Sequence, residues 1–118
     1  MADMKAFNEA IWRVAVTIPE GRVITYGELA RIAGYPGYAR QVSKALGKAP
    51  ENLCLPWHRV IAKPGRIAFA VGEPAFERQK ELLRDEGVAV LKGRIDLKLY
   101  GWSGAGAANP LAAEEFFR

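Results

Sequence analysis

Three groups of residues in this 118-residue chain have the types and spacing for chemistry or ligand contact. The first is the run Pro56-Trp57-His58-Arg59-Val60, which holds the only histidine. Nucleophilic catalysis needs a Ser or Cys within reach of a base, and the run contains neither. Trp57 is therefore either a core aromatic or a ring on which a flat ligand stacks, and His58 either a structural hydrogen bonder or a base. The second is Cys54, the only thiol, three positions before Trp57. On an extended strand an odd offset sends two side chains to opposite faces. With Trp57 turned to a pocket, Cys54 turns to the core, where free cysteines usually sit. One cysteine and one histidine can make neither an internal disulfide nor a zinc site, so no metal and no cofactor are expected. The third group is a double stripe. Ala39, Ser43 and Gly47 follow one another at four-residue steps, and Arg40, Lys44 and Lys48 do the same one position along. On a helix each set forms a row. Small residues let a helix lie close to a surface, and a neighbouring cationic row suits phosphates. The alternative is that the small row packs on another helix while the cations are solvated.

The elements that must carry these groups follow from periodicity. Phe7, Ile11, Val14, Ala15 and Ile18 recur at helical spacing, which predicts a helix over Asp3 to Thr17, capped by Asp3 and ended by Pro19-Glu20-Gly21. Arg22 to Thr25 reads as a short extended stretch. A second helix spans Glu28 to Ala33 with Thr25 as cap, and Gly34-Tyr35-Pro36-Gly37 is a turn. A third helix runs from Tyr38 to Lys48, with Ala39, Val42, Ala45 and Leu46 on its inner side. Two short helices around a glycine-bearing turn make either a helix-turn-helix or an ordinary helical hairpin. Ala49 to Asn52 reads as a loop and Leu53 to Ile61 as β-like. Lys63-Pro64-Gly65-Arg66 is a basic turn, and 53–61 with Ile67 to Val71 would form a wing-like hairpin. Pro74 opens a fourth helix that runs to about Glu86 and stops at Gly87. Glu86 then lies where an acid opposes the helix dipole, which points to a partner such as His58. Val88 to Tyr100 alternates loosely. Ser103 to Pro110 is Gly/Ala-rich and reads as a linker, and Leu111 to Arg118 as a tail, either a docking helix or a frayed end.

Composition narrows the function classes. The chain is 50% apolar and 25% charged, an ordinary globular balance for one domain. No apolar run approaches the length of a membrane span, and no secretory signal opens the chain, so no membrane partner is expected. A reducing, cytoplasmic setting fits, with nucleoid association if the source is bacterial. The net charge of +4 is unevenly spread. Arg22 to Arg66 holds eight basic and two acidic residues, a net +6, which leaves −2 for the flanks. A basic middle between near-neutral flanks suits either a polyanion or merely a soluble surface.

Several motifs, in consistent order over roughly residues 4 to 100, resemble one family. They are Val23-Ile24-Thr25-Tyr26-Gly27-Glu28-Leu29-Ala30, Ala39-Arg40-Gln41-Val42, Pro56-Trp57-His58-Arg59-Val60 and Leu82-Leu83-Arg84-Asp85-Glu86-Gly87. They are similar to the C-terminal domain of the O6-alkylguanine-DNA alkyltransferases, whose Pro-Cys-His-Arg motif carries the alkyl-accepting cysteine. Here Trp57 stands in that place, which is the mark of the alkyltransferase-like proteins. The resemblance implies binding of alkylated DNA without repair chemistry, so no catalytic residue is expected.

The resemblance also implies roles. Tyr26 matches the tyrosine that helps rotate the target nucleotide's phosphate. Arg40 matches the arginine that fills the hole left in the duplex. Trp57 would line the pocket for the flipped guanine. His58 and Glu86 match the base and orienting acid of the enzymes' Cys-His-Glu system and would be a structural remnant here. The recognition helix of the family enters the minor groove. Two positions depart from the enzymes' pattern: Ala49 stands where they carry asparagine, with Asn52 out of register, and Phe69-Ala70 replaces a loop where some relatives offer a cation.

The sequence therefore predicts a mainly α, winged helix-turn-helix-like single domain with a small β component over 1–102, followed by a flexible linker and tail over 103–118. The expected contacts to DNA and lesion are Tyr26, Ala39, Arg40, Gln41, Ser43, Lys44, Pro56, Trp57, His58 and Arg59. The expected partners are double-stranded DNA carrying O6-alkylguanine and nucleotide excision repair proteins, with the chain a monomer. Two rivals remain at this stage: a helix-turn-helix transcription regulator, and an alkyltransferase that uses another nucleophile, for which Cys54 is the candidate.

Overall fold

The computed structural model describes residues 4–102. The Asp3 cap, the linker and the tail lie outside the described residues. Helix α1 (Met4–Ala15) buries Phe7, Ile11, Val14 and Ala15, the row set by its periodicity. Strand β1 (Ile24–Thr25) leads directly into α2 (Tyr26–Ile32). The α2 helix starts two residues earlier than its apolar spacing suggests, because Thr25 caps it: the Thr25 Oγ1 accepts from the Glu28 N–H at 3.3 Å. Helix α3 (Ala39–Gly47) buries Val42 and Ala45 and packs across both earlier helices. The Trp12 Nε1–H pins α1 to α3 by donating to the Ala45 carbonyl at 2.7 Å. Strand β2 (Val60–Ile61), α4 (Pro74–Asp85) and the one-turn α5 (Leu97–Tyr100) complete the order. The fold is mostly helical with a small sheet, as expected.

The sheet is a divider. β1 and β2 pair in parallel, Ile24 opposite Val60 and Thr25 opposite Ile61. Side chains alternate along the segment that holds β1. Ile24 and Val60 thus join the core of α1, α2 and α3, while Val23 and Ile61 join a second core with Ile67, Phe76, Leu83, Val88, Val90 and Ile95.

Two expectations fail in the second half. Residues 53–61 do not form a strand. Glu51–Leu53 and Trp57–Arg59 are single 3-10 turns, and only 60–61 are extended. Two residues interrupt the extension: Cys54 adopts a left-handed backbone (φ 48°), and Pro56 has no N–H to give a ladder. The wing is also built differently. Ala62 pairs with Arg66 around the Lys63-Pro64-Gly65 turn, and the partner of Arg66 is Arg94, from a second tight hairpin closed by Leu91 and Arg94. The close approach of the hairpins requires glycine at 65, since a Cβ there would lie 2.7 Å from the Ile95 carbonyl oxygen. No helix among the described residues is long and apolar enough to cross a membrane.

Candidate nucleic-acid interface

Helix α3 presents its double row outward. Arg40, Ser43, Lys44, Gly47 and Lys48 are exposed, Ala39 and Gln41 half-buried. Ala39 lies beside Gly27 of α2, where an added Cβ would meet the Ala39 methyl at 3.8 Å, while Ser43 and Gly47 of the small row face outward. A Cβ added at Gly47 would meet nothing within 4 Å, so no internal contact demands glycine there. The cations sort in the same way. Arg31 is paired with Glu28 and Arg59 with Glu86. Arg40, Lys44 and Lys48 have no carboxylate partner among the described residues.

Beside this helix lies a recess in two lobes. The larger, about 420 Å³, is lined by Thr25, Tyr26, Gly27, Ala39, Arg40, Ser43, Ala62, Lys63, Ala68 and Phe69. The smaller, about 220 Å³, is lined by Tyr26, Ser43, Leu46, Gly47, Trp57 and Phe69. Tyr26, Ser43 and Phe69 belong to both, so the two lobes are neighbours that share a wall. Trp57 and Phe69 meet edge to face, with ring centroids 6.3 Å apart and planes at 82°. Burial pushes the Tyr26 hydroxyl above the ordinary phenol pKa, so it stays a neutral donor. Three aromatic side chains around one cavity suit a planar, uncharged guest. The resemblance pointed to Tyr26, Arg40 and Trp57, and the structure brings Tyr26 to both lobes, Arg40 to one and Trp57 to the other. Lys63 and Phe69 complete the lining. The bare sequence showed Lys63 only as part of a basic turn, because its approach to α3 depends on the long-range pairing of β1 with β2.

The end of the Trp57 segment is fixed from behind. The His58 Nε2 lies 2.6 Å from the Glu86 Oε2. The Arg59 Nε and Nη2 donate to the same carboxylate at 2.7–3.1 Å, and Arg59 Nη1 donates to the Ile18 carbonyl at 2.7 Å. The Gly21 N–H adds a bond to Glu86 Oε1 at 3.0 Å. Burial by itself would raise the Glu86 carboxyl. Donation from Arg59, Gly21 and His58 outweighs it and holds the group at about 2. An ionised carboxylate only accepts, so the His58 Nε2 carries the proton in this pair. Glu86 thus has the His58 partner that its place at the helix end suggested, and two more that the sequence did not show. Gln79, also unforeseen, is buried on α4 and donates from Nε2 to the carbonyls of His58 and Val60 at 2.9 and 3.0 Å.

These bonds engage two of the expected contact residues within the chain. The Arg59 guanidinium is 16% exposed and is engaged by Glu86 and Ile18. His58 likewise pairs with Glu86 and, with Pro56 and Arg59, lines a separate cavity of about 340 Å³ that Trp57 does not line. The expectation for Cys54 is corrected. It is exposed, not buried, because the parity argument needs a strand that is not there. It lines that separate cavity and neither lobe of the aromatic recess. Its thiol points to the Glu51 carbonyl at 3.5 Å. No group of three or more His, Cys, Asp or Glu that could hold a metal ion occurs among the described residues.

Comparison with known proteins agrees with this geometry. A protein of Vibrio parahaemolyticus named DNA base-flipping protein is 48% identical over 100 residues, 84% of this chain and 98% of that one. Alkyltransferase-like protein 1 of Schizosaccharomyces pombe is 36% identical over 104 residues, 84% of this chain and 96% of its own. The crystal structure of S. pombe Atl1 in complex with damaged DNA containing O6-carboxymethylguanine superposes with a TM-score of 0.77, at 36% identity, over 86% of this chain and 99% of that one. Residues 6–88 match the family described as 6-O-methylguanine DNA methyltransferase, DNA binding domain, and the chain belongs to that family, among its alkyltransferase-like members.

Proposed function

We propose that this protein recognises O6-alkylguanine in duplex DNA by flipping the damaged nucleotide into the aromatic recess, without accepting its alkyl group. The observation that carries the reading is Trp57 on the wall of a recess that Tyr26 also lines, next to the lobe lined by Tyr26 and Arg40. A lesion within a base stack must be extruded before a protein reads it, at a cost of a few kcal/mol that damage lowers. The exposed, unpaired Arg40 at the edge of the recess offsets part of that cost by entering the stack, and the small row of α3 lets the helix approach the minor groove closely. Aromatic contacts then hold the base, each worth roughly 1–3 kcal/mol. The indole of Trp57 has no nucleophile for an alkyl carbon. The Glu86–His58 pair serves to seat the Trp57 segment.

The bound lesion has no chemical exit in such a protein, so the complex is a marker for other machinery. By resemblance that machinery is nucleotide excision repair, with the chain acting as a monomer in the cytoplasm over a domain of 1–102. The test joins a titration of duplexes with and without O6-methylguanine to intact mass measurement of the bound protein. Tighter binding of the methylated duplex at unchanged protein mass is expected. Gain of one methyl on Cys54 would establish an alkyltransferase instead, and equal affinity for both duplexes would leave a plain helix-turn-helix regulator.

A further inference from the structure

The paired hairpins of the wing carry a second cationic feature that the recess does not use. Ala62 and Arg66 exchange both backbone hydrogen bonds, at 2.8 and 3.0 Å, and so do Leu91 and Arg94, at 3.0 and 2.9 Å. Where the hairpins meet, Arg66 stands opposite Arg94. The bonds beside that pair run from the Ile67 N–H to the Gly93 carbonyl and from the Ile95 N–H to the Gly65 carbonyl, each 2.9 Å. Arg66 and Arg94 therefore occupy a non-hydrogen-bonded site, where opposed side chains come closest, with Cβ atoms roughly 4.5–5.5 Å apart.

Alternation fixes their direction. Gly65, Ile67, Gly93 and Ile95 are buried, while Arg66 and Arg94 are exposed. Both guanidiniums project from one outer face. Like charges directly opposed destabilise a ladder, so folding alone does not favour this pair. Among the described residues no carboxylate lies within salt-bridge distance of either. The nearest acid in sequence, Asp96, accepts from the Lys98 N–H at 2.8 Å instead. Exposed Lys63 and Lys92 sit in the two hairpin turns. Opposed residues share a face, so Ala62, Arg66 and Arg94 form one row across the ribbon. Ala62 lines the recess that Arg40 and Tyr26 also line, and the row leads from there outward.

We propose that Arg66 and Arg94 form a phosphate clamp that grips the sugar-phosphate backbone of the duplex beyond the footprint of α3. This rests on the duplex-binding reading above. Two adjacent planar guanidiniums can hold one or two phosphates through forked, charge-assisted hydrogen bonds, and a bound anion turns their mutual repulsion into attraction.

The test compares wild type with the double variant Arg66→Gln/Arg94→Gln on one methylated duplex, from about 50 to 200 mM salt. Each lost phosphate contact lowers the slope of log affinity against log salt by about 0.9, so a fall of about 0.9 to 1.8 is expected. The variant Arg66→Lys/Arg94→Lys keeps both charges and should keep most of the slope. Thermal unfolding at low salt should show the glutamine variant at least as stable as wild type, because a repulsive pair is removed. Equal slopes for wild type and a folded glutamine variant overturn the clamp and assign the face to an acidic protein partner instead. Wild type that fails to bind any duplex overturns the duplex-binding reading itself, and the clamp with it.

Discussion

On one side of the β1–β2 ribbon, α1, α2 and α3 are held by apolar periodicity and one cap. The segment that carries Trp57 lies between these helices and α4, has almost no regular structure, and is held by polar bonds that reach across the chain. Glu86 ties Gly21, His58 and Arg59 together, Arg59 reaches Ile18, and Gln79 holds two carbonyls of the segment. The first side can tolerate changes on its outer face, which is where it would touch DNA. The second places one aromatic ring and depends on a buried charge to do so. Grip and pocket are therefore separable by mutation.

The largest effect should come from Glu86. Removing its carboxylate leaves the partly buried Arg59 guanidinium without a counter-charge, at a cost of about 3 kcal/mol, the lower end of the range for breaking a fully buried pair. Urea unfolding of Glu86→Ala should show that loss, and the comparison fails if the variant is as stable as wild type. The same group sets a pH dependence. Its folded value of about 2 lies below the ordinary 4.5, so its contribution is complete above pH 4.5. It drains away as the pH falls toward 2. Stability measured across that window should fall more steeply in wild type than in Glu86→Gln.

The grip should respond on a smaller scale and without loss of stability. Arg40→Ala should weaken binding to methylated duplex by about 1–3 kcal/mol, as for other stacking and intercalating side chains, while its unfolding midpoint stays that of wild type. Lys44→Ala should change affinity least, and show itself as a salt slope lower by about 0.9. An Arg40 variant that unfolds early, or a Lys44 variant with an unchanged slope, would break the division between grip and pocket.

The same division decides what was legible in the sequence. The rows of Phe7, Ile11 and Val14, the Thr25 cap and the outward face of Arg40, Lys44 and Lys48 are local patterns within one or two helical turns. They could be read directly. The Trp57 segment could not, because Cys54 in a left-handed conformation and Pro56 break the strand that its apolar residues suggest. The strand expectation carried Cys54 into the core, whereas the thiol is exposed. Arg59 and Glu86 are 27 residues apart, and no spacing rule connects them. The helix-dipole argument singled out Glu86 and supplied one of its partners, His58. The resemblance supplied Tyr26 and Trp57 as neighbours, which no periodicity could have done.

The central claim is that the recess walled by Trp57 receives a base taken out of the duplex. The most direct measurement is the fluorescence of 2-aminopurine placed at the target position, or beside it, in a duplex saturated with protein. Extrusion unstacks the probe, so wild type should brighten it. Trp57→Ala, with its α3 face intact, should still bind but with a smaller change. Fluorescence that stays at the free-duplex level at every position, with saturation demonstrated independently, would contradict the account.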